Sequence, residues 1–119
     1  MQQQPSSSRP LRVGEQLRRE ITLMLRNEVK DPRVSEIIIY DVVVSKDLGT
    51  AKVYFSPMDI QQDAAEMIKG LQSASGYLRS QLSKILSLRR VPELRFIVDD
   101  TEAKGDRIEQ LIQKSLNKQ

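Results

Sequence analysis

The 119-residue chain has no cysteine, no histidine and no tryptophan. Without cysteine there are no disulfides, thiolate zinc ligands or thiol nucleophiles, and without histidine the commonest general base is missing. Serines are abundant, but no G-x-S-x-G elbow presents one and no imidazole activates it. Neither G-x-x-x-x-G-K-[ST] nor G-x-G-x-x-G occurs, so the usual phosphate loops of nucleotide enzymes are absent. Two Phe and three Tyr are too few for a base-stacking platform. No apolar run approaches the roughly 20 residues that cross a bilayer, and the opening MQQQPSSSRP lacks the apolar core of a secretory signal. These absences point to a non-enzymatic, unexported domain in a reducing compartment, with no membrane partner.

Charge is what the chain does have, unevenly distributed. Lys and Arg number 19 against 16 Asp and Glu, a formal +3. Arg9, Arg12, Arg18, Arg19, Arg26 and Lys30 crowd the first third. Lys69, Arg79, Lys84, Arg89, Arg90 and Arg95 then share their stretch with Glu93 alone, while Asp59, Asp63, Glu66, Asp99, Asp100, Glu102 and Asp106 collect elsewhere. One basic side and one acidic side are expected, and a basic side suits a polyanion.

Length fits one domain. Residues 1–10, rich in Gln, Ser and Pro, read as a disordered arm, 11–116 as the folded domain and 117–119 as a tail. Val13, Leu17, Ile21, Met24, Leu25 and Val29 recur at helical spacing and predict a helix from about Leu11 to Lys30, closed by Asp31-Pro32. Ile37 to Ser45 and Thr50 to Ser56 read as strands joined by a hairpin through Lys46-Asp47-Leu48-Gly49. Gln61 to Leu88 carries a helical apolar face, Ala64, Ile68, Leu71, Leu78, Leu82 and Ile85, which Ala74-Ser75-Gly76 interrupts. A glycine in a helix interior costs about 1 kcal/mol relative to alanine, so a bend between two helical segments, or a close backbone approach, is expected there. Leu94, Phe96 and Val98 alternate with polar residues in a third strand, from about Glu93 to Asp99. Ile108, Leu111, Ile112 and Leu116 mark a last short helix. The pattern predicts an α+β domain, a three-stranded sheet covered by helices on one face.

The candidate binding residues follow from the clustering of charge. Lys69, Arg79, Lys84, Arg89, Arg90 and Arg95 form a cationic edge about the interruption, joined by Arg12, Arg18 and Arg19 of the first helix. At Ala74, Ser75 and Gly76 a sugar-phosphate backbone can come close; equally, Gly76 can serve only to let the helices pack. Backbone and shape would then outweigh base readout. Asp99-Asp100 with Glu102 is the one carboxylate group that invites a metal-dependent nuclease reading, against which stands the ordinary role of acids in solvating a turn. A protein adaptor using the acidic face is a third reading, and a general RNA-binding module a fourth.

Taken together, Arg12-Val13-Gly14-Glu15-Gln16-Leu17, Lys30-Asp31-Pro32-Arg33, the hairpin from Asp41 to Tyr54, Ala74-Ser75-Gly76-Tyr77-Leu78-Arg79 and Val91-Pro92-Glu93-Leu94-Arg95-Phe96 resemble the bacterial and organellar ribosome-binding factor A proteins, with Asp99-Asp100 and Arg107-Ile108 in step. The resemblance implies a K-homology-like fold of the second type, in which a helix-kink-helix with an A-x-G motif stands for the G-x-x-G loop. The glycines at 14, 49, 70, 76 and 105 never sit three apart, in keeping with that. It further implies a monomeric, non-catalytic factor without cofactors that binds the small ribosomal subunit and its 16S rRNA. Late maturation near the RNA 5′ end, growth in the cold, and a cytoplasmic or organellar setting shared with assembly GTPases belong to the same expectation.

Overall fold

The computed structural model describes residues 8–59 and 61–98. Its elements are α1 (Arg9–Asn27), a 3₁₀ turn (Pro32–Val34), β1 (Ile37–Val44), β2 (Thr50–Pro57), α2 (Ala64–Ile85) and β3 (Glu93–Val98). The expected last helix, with Asp99 and Asp100, lies outside the described residues.

Helix α1 begins two residues before the sequence periodicity suggests. Ser8 caps it by accepting a hydrogen bond from the Leu11 amide at 3.3 Å, and proline is tolerated in a first turn whose amides have no helical partner. Arg9 and Pro10 therefore belong to the helix and not to the arm. At the other end the Glu28 amide closes on the Met24 carbonyl, ending α1 at Asn27, short of the expected Lys30. Asp31 then caps the 3₁₀ turn and forks onto Arg33, with Arg33 Nη2 2.7 Å from Asp31 Oδ2. That bond to the Arg33 guanidinium holds the Asp31 carboxyl below the usual carboxylate value.

Strand β2 lies at the centre of the sheet, antiparallel to β1 and parallel to β3, and α2 supplies the crossover that a parallel return requires. The run Ile37-Ile38-Ile39-Tyr40-Asp41-Val42-Val43-Val44 does not alternate, because β1 carries a bulge. Ile39 pairs with Phe55 and Asp41 with Tyr54, leaving Tyr40 as the extra residue. That residue resets the alternation, so Ile37, Ile39, Val42 and Val44 all face inward. Ala51, Val53, Phe55 and Leu94 complete the buried face, with Phe96 and Val98 packed at its margin, while Lys52 and Arg95 stay on the wet side as expected.

The expected bend falls inside an uninterrupted helix. Helix α2 is one element of 22 residues running through Ala74-Ser75-Gly76. Leu71 and Leu78, fully buried one turn either side, and Ala74, 8% exposed, anchor it across the glycine. Burying a leucine stabilises by about 1.5–3 kcal/mol, more than the glycine costs. The buried face also sits differently on the helix. Met67, Gly70, Leu71, Ala74, Leu78 and Leu82 form it; Ile85 is 46% exposed and Ala64 only half-buried.

Two glycines explain how closely these layers approach. A Cβ on Gly14 would lie 2.4 Å from the Val42 carbonyl oxygen, so α1 crosses β1 backbone to backbone at that point. A Cβ on Gly70 would meet Val34 Cγ1 at 2.9 Å and Arg33 Cβ at 3.0 Å, which seats α2 on the 3₁₀ turn.

Candidate nucleic-acid interface

Gly76 differs from those two glycines. Among the described residues a Cβ there would meet nothing within 4 Å, the residue is exposed, and its φ is not positive. The described residues therefore give no steric reason for a glycine at this position. At 3.6 residues per turn, Gly76 lies opposite Leu71, Ala74, Leu78 and Leu82, on the side of α2 that faces solvent. Ser73, Ser80 and Ser83 repeat on that side, with Ser87 just beyond the helix, and all are exposed. Ser83 turns its hydroxyl back to the Ser80 carbonyl at 2.7 Å, which keeps the surface low. From Ser73 to Ser83, about half the length of the helix, this makes an uncharged strip of small side chains with Gln72 at its edge. The serines were legible in the sequence as a small-residue repeat out of phase with the apolar one, and attention to glycine alone missed them.

Cations rim the strip. Lys69 stands at its start, Arg79 and Lys84 on its two flanks, and Arg89 and Arg90 past its end; no acid occurs from Met67 to Pro92. The structure distinguishes among them. Lys84, Arg89 and Arg90 have no hydrogen-bond partner among the described residues. Lys69 makes an exposed pair with Glu66 at 3.3 Å, which contributes little in water and yields easily to another anion. Arg79 is committed within the fold, its Nη2 donating to the Val91 carbonyl at 3.1 Å and tying α2 to the start of β3.

The other candidates separate from this group. Ala74 faces the core and is withdrawn from the interface. Arg95 pairs with Glu93 at 3.2 Å on β3 and, with Gln72 and Ser75 of α2, lines a shallow cleft between that strand and the helix. Arg18 is held by Glu15 through Nε and Nη2 on the flank of α1, and that guanidinium lowers the Glu15 carboxyl. Arg12 and Arg19 lie on the solvent side of α1, which shares a molecular face with α2 because both helices cover the same side of the sheet. Ser75 is half-buried beside the strip.

Tyr77, next to Gly76, donates its hydroxyl to Glu28 Oε1, joining the middle of α2 to the C-cap of α1. The carboxylate that receives this bond raises the phenol above its ordinary range. The contact fixes how the two helices present their outer faces.

A three-stranded sheet covered by helices, with cations rimming the outer face of one helix, defines a K-homology-like α+β module. Comparison with known proteins agrees. The family model for ribosome-binding factor A matches residues 9–112, and the chain belongs to that family. The ribosome-binding factor A of Thioalkalivibrio sulfidiphilus is 45% identical over 109 residues, covering 92% of this chain and 84% of its own. That of Vesicomyosocius okutanii is 45% identical over 114 residues, covering 96% and 98%. Among solved structures, the Thermotoga maritima protein in solution aligns with a TM-score of 0.68 at 26% identity, covering 81% of this chain and 91% of its own. A Thermus thermophilus ribosome-binding factor A homology model, fitted into a cryo-EM map of a 30S complex with that factor, aligns at 0.58 and 26%, covering 71% and 88%.

Proposed function

We propose that this protein binds the free small ribosomal subunit, lays the outer face of α2 on its 16S rRNA, and acts by binding alone. The observation that carries this reading is the glycine at 76, for which the described residues give no steric reason, at the centre of a strip free of acids and rimmed by cations. An RNA backbone pressed against such a strip meets little steric resistance and finds ammonium and guanidinium groups at its phosphates. Family membership directs the reading to the ribosome, as does the 30S complex of the Thermus relative.

Selective affinity is mechanism enough for a factor of this kind. A protein that grips one arrangement of an immature RNA more tightly than another shifts the population toward it, and leaves when the mature arrangement removes the preferred surface. We place this action late in 16S maturation, including processing at the 5′ end, with the protein a cytoplasmic monomer on particles that assembly GTPases also visit. Cold, which slows escape from misfolded RNA, is where the need is greatest.

Sedimentation of cell extract tests this reading. The protein should travel with free small subunits and not with translating ribosomes, and rising salt should release it. Equal affinity for purified subunits and for unrelated RNA would instead make it a general RNA-binding module.

A further inference from the structure

At one end of the molecule, the hairpin turn between β1 and β2 meets the segment that follows α2. Arg9, Asp47, Leu48, Leu88, Arg89 and Arg90 line an open cleft there, of about 570 Å³. Three guanidiniums converge on it from two distant parts of the chain. Neither Arg9 nor Arg89 makes a hydrogen bond or ion pair among the described residues. Asp47, the one acid among the cleft's described lining residues, is already engaged: its Oδ1 accepts from Ser45 Oγ at 2.7 Å and from the Gly49 amide at 2.9 Å. Those bonds, with the charge of Arg90 nearby, keep it ionised and tied to the turn.

Leu48 and Leu88 supply the apolar part of the lining. Leu48 has φ of 60°, the left-handed region that a leucine rarely adopts, and it is the only described non-glycine residue to do so. The turn leaves it no alternative. The Leu48 amide donates to the Ser45 carbonyl at 2.9 Å, Ser45 Oγ accepts from Gly49 and Thr50, and the Gly49 carbonyl accepts from the Glu93 amide at 2.9 Å. Held this way, Leu48 and Leu88 are half-buried beside the guanidiniums. Backbone strain kept in place by a surrounding network marks sites where position matters.

We propose that this cleft seats one nucleotide of the bound RNA, turned out of its stack, with its phosphate among Arg9, Arg89 and Arg90 and its base or ribose against Leu48 and Leu88. The volume falls within the 300–1,000 Å³ usual for small-molecule sites, larger than a phosphate alone requires. Guanidiniums suit the role because they bind phosphate through paired N–H groups and also stack on base planes. The site extends the RNA grip beyond α2 to the hairpin and to α1. It rests on the RNA-binding reading above.

The test uses the full chain and purified small subunits, with affinity measured across a salt series for wild type, Arg9→Ala and Leu48→Asn; asparagine tolerates the left-handed backbone. Arg9→Ala should weaken binding several-fold and lower the slope of log affinity against log salt by about 1, the loss of one phosphate contact. Leu48→Asn should weaken binding at every salt concentration with the slope unchanged, because an apolar contact releases no counterion. Melting curves accompany both, and if Leu48→Asn is unfolded, Leu88→Asn takes its place. Wild-type affinity and slope in Arg9→Ala, or wild-type affinity in the folded wall variant, overturns the nucleotide seat. If wild type binds and only changes on the α2 strip weaken it, the seat alone is lost; if wild type fails to bind subunits, the broader reading is lost as well.

Discussion

Gly14→Ala should destabilise this protein by roughly 2–3 kcal/mol, lowering the melting temperature by about 10–20 °C for a domain of this size. Alanine is the better helix former by about 1 kcal/mol, so propensity alone predicts the opposite sign. Geometry decides otherwise. The new Cβ would stand 2.4 Å from the Val42 carbonyl oxygen, and the obstacle is strand backbone, which cannot rotate aside as a side chain can. Helix α1 would have to lift from β1, loosening Leu17 and Ile21, both fully buried. Gly70→Ala should cost less, because its contacts are side-chain atoms of Val34 and Arg33 that can give by a few tenths of an ångström. Circular-dichroism melts of the two variants check the order. A Gly14→Ala protein as stable as wild type would show that α1 does not lie against β1 as described.

The second large effect concerns binding. Lys84→Ala, Arg89→Ala and Arg90→Ala combined should leave the melting temperature near wild type, since none of the three makes a hydrogen bond among the described residues. Small-subunit affinity should fall steeply. Each phosphate contact contributes about 0.9 to the slope of log affinity against log salt on a duplex, so three contacts account for roughly a 40-fold change over a fourfold rise in salt. The triple variant should lack that part of the salt dependence. Arg79 is left out deliberately: its bond to the Val91 carbonyl makes Arg79→Ala a change to the fold as well as to the charge. An unaltered salt slope in the triple variant would remove these residues from the RNA contact.

What the sequence disclosed, and what it concealed, follows from the kind of signal each feature leaves. Helix α1, β2 and β3 announce themselves through regular apolar spacing, because each buries a single stripe or face. Strand β1 conceals its inward residues, since the extra Tyr40 shifts the period and a bulge has no spacing of its own. The buried face of α2 was misplaced for a related reason. Gly70 and Ala74 pack closely because they are small, and a count of large apolar residues passes over them in favour of Ile85. The helix stays continuous through Gly76 because the burial of Leu71 and Leu78 outweighs the local cost of glycine.

The candidate site shows the same division. A cluster of bases between Lys69 and Arg95 was plain, but which of them are engaged inside the molecule is a matter of three-dimensional partners. Arg79 finds its partner twelve residues away, and Arg95 is paired with Glu93. Arg9, read as part of an unstructured arm, lines a cleft with residues some eighty positions later. Glycine is the sharpest case. Positions 14, 70 and 76 carry the same letter, and only the space around each distinguishes a packing contact from a surface left open.

That open surface is the centre of the account, and parallel measurement of stability and subunit affinity for Gly76→Ala and Gly76→Leu tests it most directly. With no atom of the described residues within 4 Å of the added Cβ, both substitutions should raise stability, Gly76→Ala by about 1 kcal/mol through helix propensity. Affinity for the small subunit should move the other way, falling modestly for alanine and at least tenfold for leucine, as a growing side chain holds the RNA backbone off the strip. Opposite signs in the two measurements are the predicted result. Variants that are more stable and bind small subunits as tightly as wild type would contradict it.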